Sequence, residues 1–252
     1  MSRDAGAAAG GAVRARMSDA PALLPSRFVY LHEARCPIGY EPVYRSFEPS
    51  LYVPQRGLRG FIGERHERIV EEVADIYGKL SPGDHFKLYE AAYFARGPIL
   101  EIGRLHGKST AVLAAGLRDG RVAAPLYSVD LQDRHLATAE GHLRERGLLE
   151  LVTLMQGDSA EVIAELPGRF DTVFVDGDHS YEGVTRDLRA LEGRIEPGGV
   201  AMFHDRFHPA NESGEYGVAR ALEERTAAMG LAYRGRFGGI ALYEQVGCAS
   251  SS

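Results

Sequence analysis

The sequence predicts an α/β fold, a mostly parallel β-sheet covered by helices on both faces. Three observations carry that expectation. Short, almost wholly apolar runs alternate with stretches of helical periodicity from about residue 99 to residue 203, and strands that read as continuous apolar runs are buried on both sides. The first run, Ile99-Leu100-Glu101, breaks into a loop bearing Gly103 and Gly107 before a helical pattern starts at Lys108, the succession of a strand, a tight turn and a helix N-terminus. The last two runs, Leu231–Phe237 and Ile240–Tyr243, are separated by little more than Gly238-Gly239. That leaves no room for a crossover helix and requires an antiparallel hairpin.

Taken in order, residues 1–23 are expected to be a disordered tail. Met1 to Ala20 is rich in Ala and Gly, Ala5 to Val13 is too feebly apolar for a signal-peptide core, and Met17 is an alternative start. Residues 24–96 form a cap region. Its first part, to Gly63, carries Pro37, Pro42, Pro49 and Pro54, which argue against regular structure. Its aromatics Phe28, Tyr30, Tyr40, Tyr44, Phe47 and Tyr52 argue against disorder. An extended segment is expected, either a packing arm or a lid over a cleft. Two helices follow. Ile69, Val73, Ile76 and Leu80 keep helical spacing in the first, and Ser81-Pro82-Gly83-Asp84 breaks it and caps the second, which runs to about Ala95.

The sheet domain spans 97–246. After the first strand and its helix, Leu126–Val129 is the second strand and a polar helix runs from about Asp133 to Arg146. Leu151–Met155 is the third strand, Ser159–Leu166 a short helix, and Thr172–Val175 the fourth strand. Tyr181, Val184, Leu188, Leu191 and Ile195 share one face of the next helix, Pro197-Gly198-Gly199 is a turn, and Val200–Phe203 is the fifth strand. Residues 247–252 are a second tail.

Composition narrows the function. The 252 residues are 44% hydrophobic and 25% charged, with a formal net charge of −6 and no basic run, so nothing favours a nucleic acid or an anionic membrane as partner. No apolar run approaches the ~18 residues of a membrane span. The two cysteines, Cys36 and Cys248, have no metal-binding spacing. A cytoplasmic protein is expected.

In an open parallel sheet, ligands sit beyond the carboxyl ends of the strands. Those ends hold Glu101, Asp130, Asp176 and the pair His204-Asp205, and Asp158 follows the third strand. Acids at or beyond all five ends, around a glycine loop, point to a ligand site. The loop is one residue short of a phosphate-binding P-loop, and Leu105 stands where a dinucleotide fingerprint needs its second glycine. Asp130, 27 residues after Gly103, suits a ribose diol, because a carboxylate offers two acceptor oxygens. Asp158 suits the exocyclic amine of an adenine. Asp176, Asp178 and His179 lie at the centre of the expected cleft, and Asp178 and His179 are base candidates.

The pattern of an acid, Gly103 and Gly107 resembles the first motif of class I S-adenosylmethionine (SAM)-dependent methyltransferases. Asp-Gly-Asp-His-Ser-Tyr-Glu-Gly at 176–183, Pro-Gly-Gly-Val at 197–200 and Phe-His-Asp at 203–205 resemble a family of small-molecule SAM methyltransferases. Its related branches include metal-dependent sugar and catechol O-methyltransferases, many of them in natural-product pathways. The likeness covers about Tyr89 to Glu244. It implies a Rossmann-like class I methyltransferase sheet of five parallel strands closed by an antiparallel hairpin, flanked by helices, with an N-terminal helical and irregular cap. It further implies that Glu101, Gly103 and Gly107 hold the methionyl part of SAM, Asp130 the ribose and Asp158 the adenine, with Ser109, Ser159 and Asp176 beside them.

In the metal-dependent branches the matching metal positions are Asp176, His204 and Asp205, holding Mg²⁺ or Mn²⁺. His204 departs from the acid usual there. Mg²⁺ prefers an all-oxygen shell, so His204 weighs against it and leaves Mn²⁺, Fe²⁺ or Zn²⁺. The other reading is a His204 that hydrogen-bonds Asp176 or backbone, with no metal. The expected activity is methyl transfer from SAM to a hydroxyl of a small-molecule acceptor in natural-product biosynthesis, with Asp176, Asp178 and His179 as catalytic residues and a homo-oligomer compatible with the sequence. The alternatives are N-methylation of an amine such as an amino sugar, or a nucleotide-binding oxidoreductase or phosphotransferase.

Overall fold

The computed structural model describes residues 64–247; the expected tail 1–23, the aromatic segment 24–63 and residues 248–252 lie outside them. Helix α1 (Glu64–Glu72) is shorter than the spacing from Ile69 to Leu80 implies. After Glu72 the chain closes in tight turns, such as Ile76 N–H to the Val73 carbonyl at 3.2 Å. Ile69, Val73 and Ile76 are buried all the same, so the spacing recorded burial and not a continuous helix. Helix α2 (Pro82–Tyr93) begins with a reciprocal capping box. Ser81 Oγ accepts from the Asp84 N–H at 3.3 Å, and Asp84 Oδ2 accepts from the Ser81 N–H at 2.6 Å.

Strands and helices then alternate: β1 (Ile99–Ile102), α3 (Lys108–Gly120), β2 (Leu126–Asp130), α4 (Leu136–Glu145, entered through a 3₁₀ turn), β3 (Val152–Gln156), α5 (Ser159–Glu165), β4 (Phe170–Val175), α6 (Tyr181–Leu191) and β5 (Ile195–Phe203). Residues 206–230, where the sequence suggests no element, hold α7 (Ala210–Ser213) and α8 (Val218–Arg225). The hairpin β6 (Leu231–Phe237) and β7 (Ile240–Gln245) ends the described chain. The sheet order is β3-β2-β1-β4-β5-β7-β6. Strands β1 to β5 are parallel, and β7 lies antiparallel between β5 and β6. The order reverses between β1 and β4, the crevice where open parallel sheets bind ligands.

One boundary moves. Ile195 opens β5 and pairs with Phe170 instead of ending α6, and Pro197-Gly198-Gly199 bulges within the strand before Val200 pairs with Thr172. Gly198, at φ +75°, makes the bulge.

Side chains alternate along the strands, and each sheet face has its own core. Ile99, Phe174, Val200 and Met202 pack with Leu88, Val112 and Leu113 of α2 and α3. Leu100, Ile102, Val173, Ala201 and Phe203 pack with Ile163, Leu188 and Leu222 of α5, α6 and α8. Each buried large side chain contributes about 1.5–3 kcal/mol. This rigid frame fixes the five carboxyl-terminal strand ends. Among the described residues no helix is long and apolar enough to cross a membrane.

Candidate active site

A cavity of about 600 Å³ opens over those strand ends. Of the residues singled out from the sequence, Gly103, Ser109, Asp130, Asp158, Ser159, Asp176, Asp178, His179, His204 and Asp205 line it.

At the β1 end, the Gly103 N–H bonds to the Val129 carbonyl (2.8 Å) and the Asp176 N–H to the Ile102 carbonyl (2.8 Å). The loop is thus pinched between β2 and β4. Gly103 has φ +85°, and a Cβ there would overlap the Asp176 carbonyl oxygen, so only glycine fits. Asp130 ties the loop down. Its Oδ2 accepts the N–H groups of Arg104 and Leu105 (3.0 Å each) and its Oδ1 that of Gln132 (2.8 Å). The Arg104 side chain is buried beneath and donates to the carbonyls of Ser128 (2.7 Å) and Met155 (2.9 Å).

Glu101 and Gly107 lie outside the lining of the cavity. Strand alternation turns Glu101 towards α3, where it is 0% exposed and accepts hydroxyls from Thr110 (2.5 Å) and Ser128 (2.6 Å). Burial pushes its carboxyl pKa up against the pull of the Ser109, Ser128 and Thr110 hydroxyls. Gly107, at φ +87°, starts α3 and faces Ala139. Neither lines the cavity; both shape the loop from behind.

Beyond β3, Asp158 caps α5 by accepting the Ala160 N–H (2.9 Å), and Arg186 lies 3.5 Å from its other oxygen. The Ser159 hydroxyl donates to Asp187. Burial raises the Asp187 carboxyl to about 6, against that hydrogen bond.

The β4 and β5 ends carry the charged centre. His179 Nε2 lies 3.3 Å from Asp176 Oδ1 and 3.2 Å from Asp205 Oδ2. His204 Nδ1 lies 3.2 Å from Asp176 Oδ1 and 3.3 Å from Asp205 Oδ1, and its Nε2 is 3.3 Å from Asp84 Oδ2. Ligand atoms of Asp176, His179 and Asp205 lie within 4.8 Å of one another. His179 therefore joins the expected metal set, while His204 packs behind both carboxylates. Asp178 stands apart from these contacts. Its Oδ1 accepts the Ser180 N–H (2.9 Å) at the start of α6.

Two supports fix the centre. His179 stacks on Tyr216 (4.6 Å, 8° between ring planes), which stacks on His208 (4.8 Å). Asp205 holds φ +58°, and its carbonyl accepts from Asn211 Nδ2 at 2.8 Å.

Charges here answer one another. Burial works to raise the Asp176 pKa, but His179 and His204 outweigh it and hold that carboxyl below its ordinary value. Asp205 is likewise lowered, by His204 against burial. Asp176 raises His179 against burial, and Asp205 adds to the effect. Burial opposes charge on His204, yet the carboxylates of Asp176, Asp205 and Asp84 raise its pKa far above the ordinary value.

The sequence left several site residues unmarked. Asp84 had a signal, the third position after Ser81 in the capping box. Asp187 sits on a helix read only for its apolar face, and Tyr216 and Asn211 lie in a segment with no readable element.

Residues 100–206 match a family model described as a methyltransferase domain. The O-methyltransferase hkm8 of Aspergillus hancockii is 30% identical over 89 residues, covering 35% of this chain and 34% of its own length. The chain spans between 34% and 50% of the length of the curated relatives it matches. Among solved structures, an O-methyltransferase from Bacillus cereus in complex with S-adenosylhomocysteine has a TM-score of 0.54 at 21% identity, covering 77% of this chain and 94% of that one. TomG from Streptomyces achromogenes, an O-methyltransferase involved in tomaymycin synthesis and solved with SAM, has a TM-score of 0.55 at 21% identity, covering 79% of this chain and 93% of that one. The fold is the class I methyltransferase fold, and residues 100–206 are similar to a methyltransferase domain.

Proposed function

We propose, from that fold and that similarity, that this chain transfers a methyl group from SAM to a hydroxyl of a small molecule in natural-product biosynthesis. One observation carries the reading: a single cavity runs from Gly103 and Asp130 to Asp176, His179 and Asp205. A cofactor and an acceptor bound in it would meet at the charged centre.

The residues fit SAM. Gly103 lacks the Cβ that would crowd the loop, and Ser109 lines the cavity at the start of α3, so these two border the methionyl part. Asp130 lines the cavity and accepts the ribose hydroxyls; Asp158 and Ser159 border the adenine. SAM supplies a methyl group on a positively charged sulfur. The chain aligns the acceptor oxygen with it and removes the proton that this oxygen loses. His179, made more basic by Asp176, takes that proton. Asp178, engaged with Ser180, orients the start of α6.

A divalent ion also fits. His204 Nδ1 is buried without a hydrogen-bond partner beside two carboxylates. Asp176 and Asp205 would hold the ion with histidine, and it would polarise the acceptor hydroxyl. A small-molecule acceptor, and no nucleic acid or membrane, accords with the net charge of −6. The same reading keeps the protein in the cytoplasm.

Calorimetry of the purified protein with SAM, ATP and NAD in turn tests this, followed by labelled-methyl transfer to phenol, sugar and amine panels. Micromolar SAM binding and O-methylated product are expected. Binding of ATP or NAD in place of SAM overturns the reading, and methylation of amines alone changes it to N-methylation.

A further inference from the structure

We propose that Tyr216 is the positioning residue of His179: its ring, stacked on two imidazoles at once, sets the plane of the His179 ring and so the direction in which Nε2 is presented. The inference rests on the methyltransferase reading and deepens it, because His179 takes the acceptor's proton in that reading.

Hydrogen bonds alone leave that plane open. His179 Nε2 lies 3.3 Å from Asp176 Oδ1 and 3.2 Å from Asp205 Oδ2, so both carboxylates act on one atom of the ring. A ring held at one atom can still turn about it. Tyr216 lies face to face with His179, 4.6 Å between centroids and 8° between planes. That is the offset-stacked arrangement of aromatic pairs, and a flat surface against the imidazole removes the rotation that the carboxylates allow. Tyr216 also lines the cavity, so the stack stands at the reacting end of the cleft.

The chain around Tyr216 keeps it there. Its N–H bonds to the Ala210 carbonyl (3.0 Å), and the Gly217 N–H bonds to the His179 carbonyl (2.8 Å). Residues 216 and 217 thus hold His179 twice, by ring and by backbone. Position 217 has room only for glycine, since a Cβ there would overlap the Tyr181 nitrogen at the start of α6. His208 stacks on Tyr216 at 4.8 Å and 25°, and its own ring is fixed by the Ala210 N–H, 3.2 Å from Nδ1. Asn211 locks the turn. Its Nδ2 donates to the carbonyls of Asp205 (2.8 Å) and His208 (2.9 Å), and its Oδ1 accepts the Ala219 N–H (2.9 Å). The stretch 206–217 therefore ties the end of β5 to the start of α6, with the Tyr216 ring at the join.

The test uses the full chain with its histidines labelled at carbon ε1 and followed by NMR, the His179 signal being assigned with His179→Gln. The ring current of Tyr216 should displace that signal from the position of a free histidine. Tyr216→Leu should remove the displacement, and Tyr216→Phe, which keeps a flat ring, should retain it. Turnover is read with the panel phenol or sugar that is methylated fastest; where none is methylated, the NMR signal alone decides. Tyr216→Leu should lower kcat about 10–100-fold, as a misplaced reacting group does, and Tyr216→Phe should restore most of it. KM and the SAM Kd should move less than about threefold. A rise in KM alone makes Tyr216 an acceptor contact and overturns the proposal. So does a loss in Tyr216→Phe equal to that in Tyr216→Leu, or a His179 signal that Tyr216→Leu leaves in place. Circular dichroism checks folding. If Tyr216→Leu does not fold, His208→Ala carries the test and should move the His179 signal and kcat in the same direction. SAM binding measured in parallel separates the two claims: absence of SAM binding overturns the methyltransferase reading, and an unmoved His179 signal with SAM bound overturns this inference alone.

Discussion

The two halves of the cleft are built on opposite plans. On the β1–β2 side, Asp130 and Arg104 make most of their contacts with backbone, three N–H groups for one and two carbonyls for the other. On the β4–β5 side, Asp176, His179, His204 and Asp205 make theirs with one another. Backbone contacts fix a shape whatever the protonation state. Contacts between ionisable side chains fix a charge balance that a proton or a cation can alter. The first plan suits recognition of a constant ligand and the second suits chemistry.

Four substitutions separate the plans, from the largest expected effect to the smallest. Gly103→Ala breaks both halves, because its methyl would press on the carbonyl of Asp176 across the cleft. Destabilisation on the order of 2–4 kcal/mol and loss of SAM binding are expected, read by thermal unfolding and calorimetry. Asp176→Asn strikes the reacting half. Turnover should fall about 10²–10⁴-fold while the SAM Kd moves less than about threefold; equal loss of both would erase the distinction. Asp130→Ala should do the reverse. Losing its charge-assisted hydrogen bonds costs about 1.5–3 kcal/mol, roughly ten- to hundredfold in SAM affinity, with turnover at saturating SAM little changed.

The fourth concerns Asp187, a buried acid on the recognition side. Its folded pKa of about 6 lies above its ordinary value of 3.8, so the folded state binds the proton more tightly than the unfolded one. That stabilisation is complete below the unfolded pKa and is lost as pH rises through 6. Lowering the pH from 7 to 5 should therefore add about 1 kcal/mol through this group, and Asp187→Asn should flatten that part of the stability profile. Denaturant unfolding at the two pH values measures it.

Much of the sheet was legible because apolar runs and glycine punctuation report burial directly. The hairpin was fixed by two glycines with no room for a helix. The same signal misled at Ile69–Leu80 and at Ile195, where a buried residue fitted a helical period but sat in a turn or a strand. The strand-end acids were legible because a parallel sheet gathers its carboxyl ends in one place. The direction of Glu101 was not legible, because the two-residue alternation of a strand decides which way a side chain faces, and β1 runs one residue further, to Ile102. Asp84 was legible as a helix cap, but its place beside His204 was out of reach. Its partners Gly239 and His204 lie 155 and 120 positions away, and no local pattern encodes such a meeting.

That long reach has a consequence for biosynthesis. A ribosome delivers Asp84 well before the glycine turn that closes over it, and the β6–β7 hairpin must dock along β5 before the Gly239 N–H can reach that carboxylate. The nascent protein can therefore complete most of its parallel sheet while the charged cluster at its strand ends stays unfinished. The Asp84 contact with the glycine turn forms only once the β6–β7 hairpin has been made.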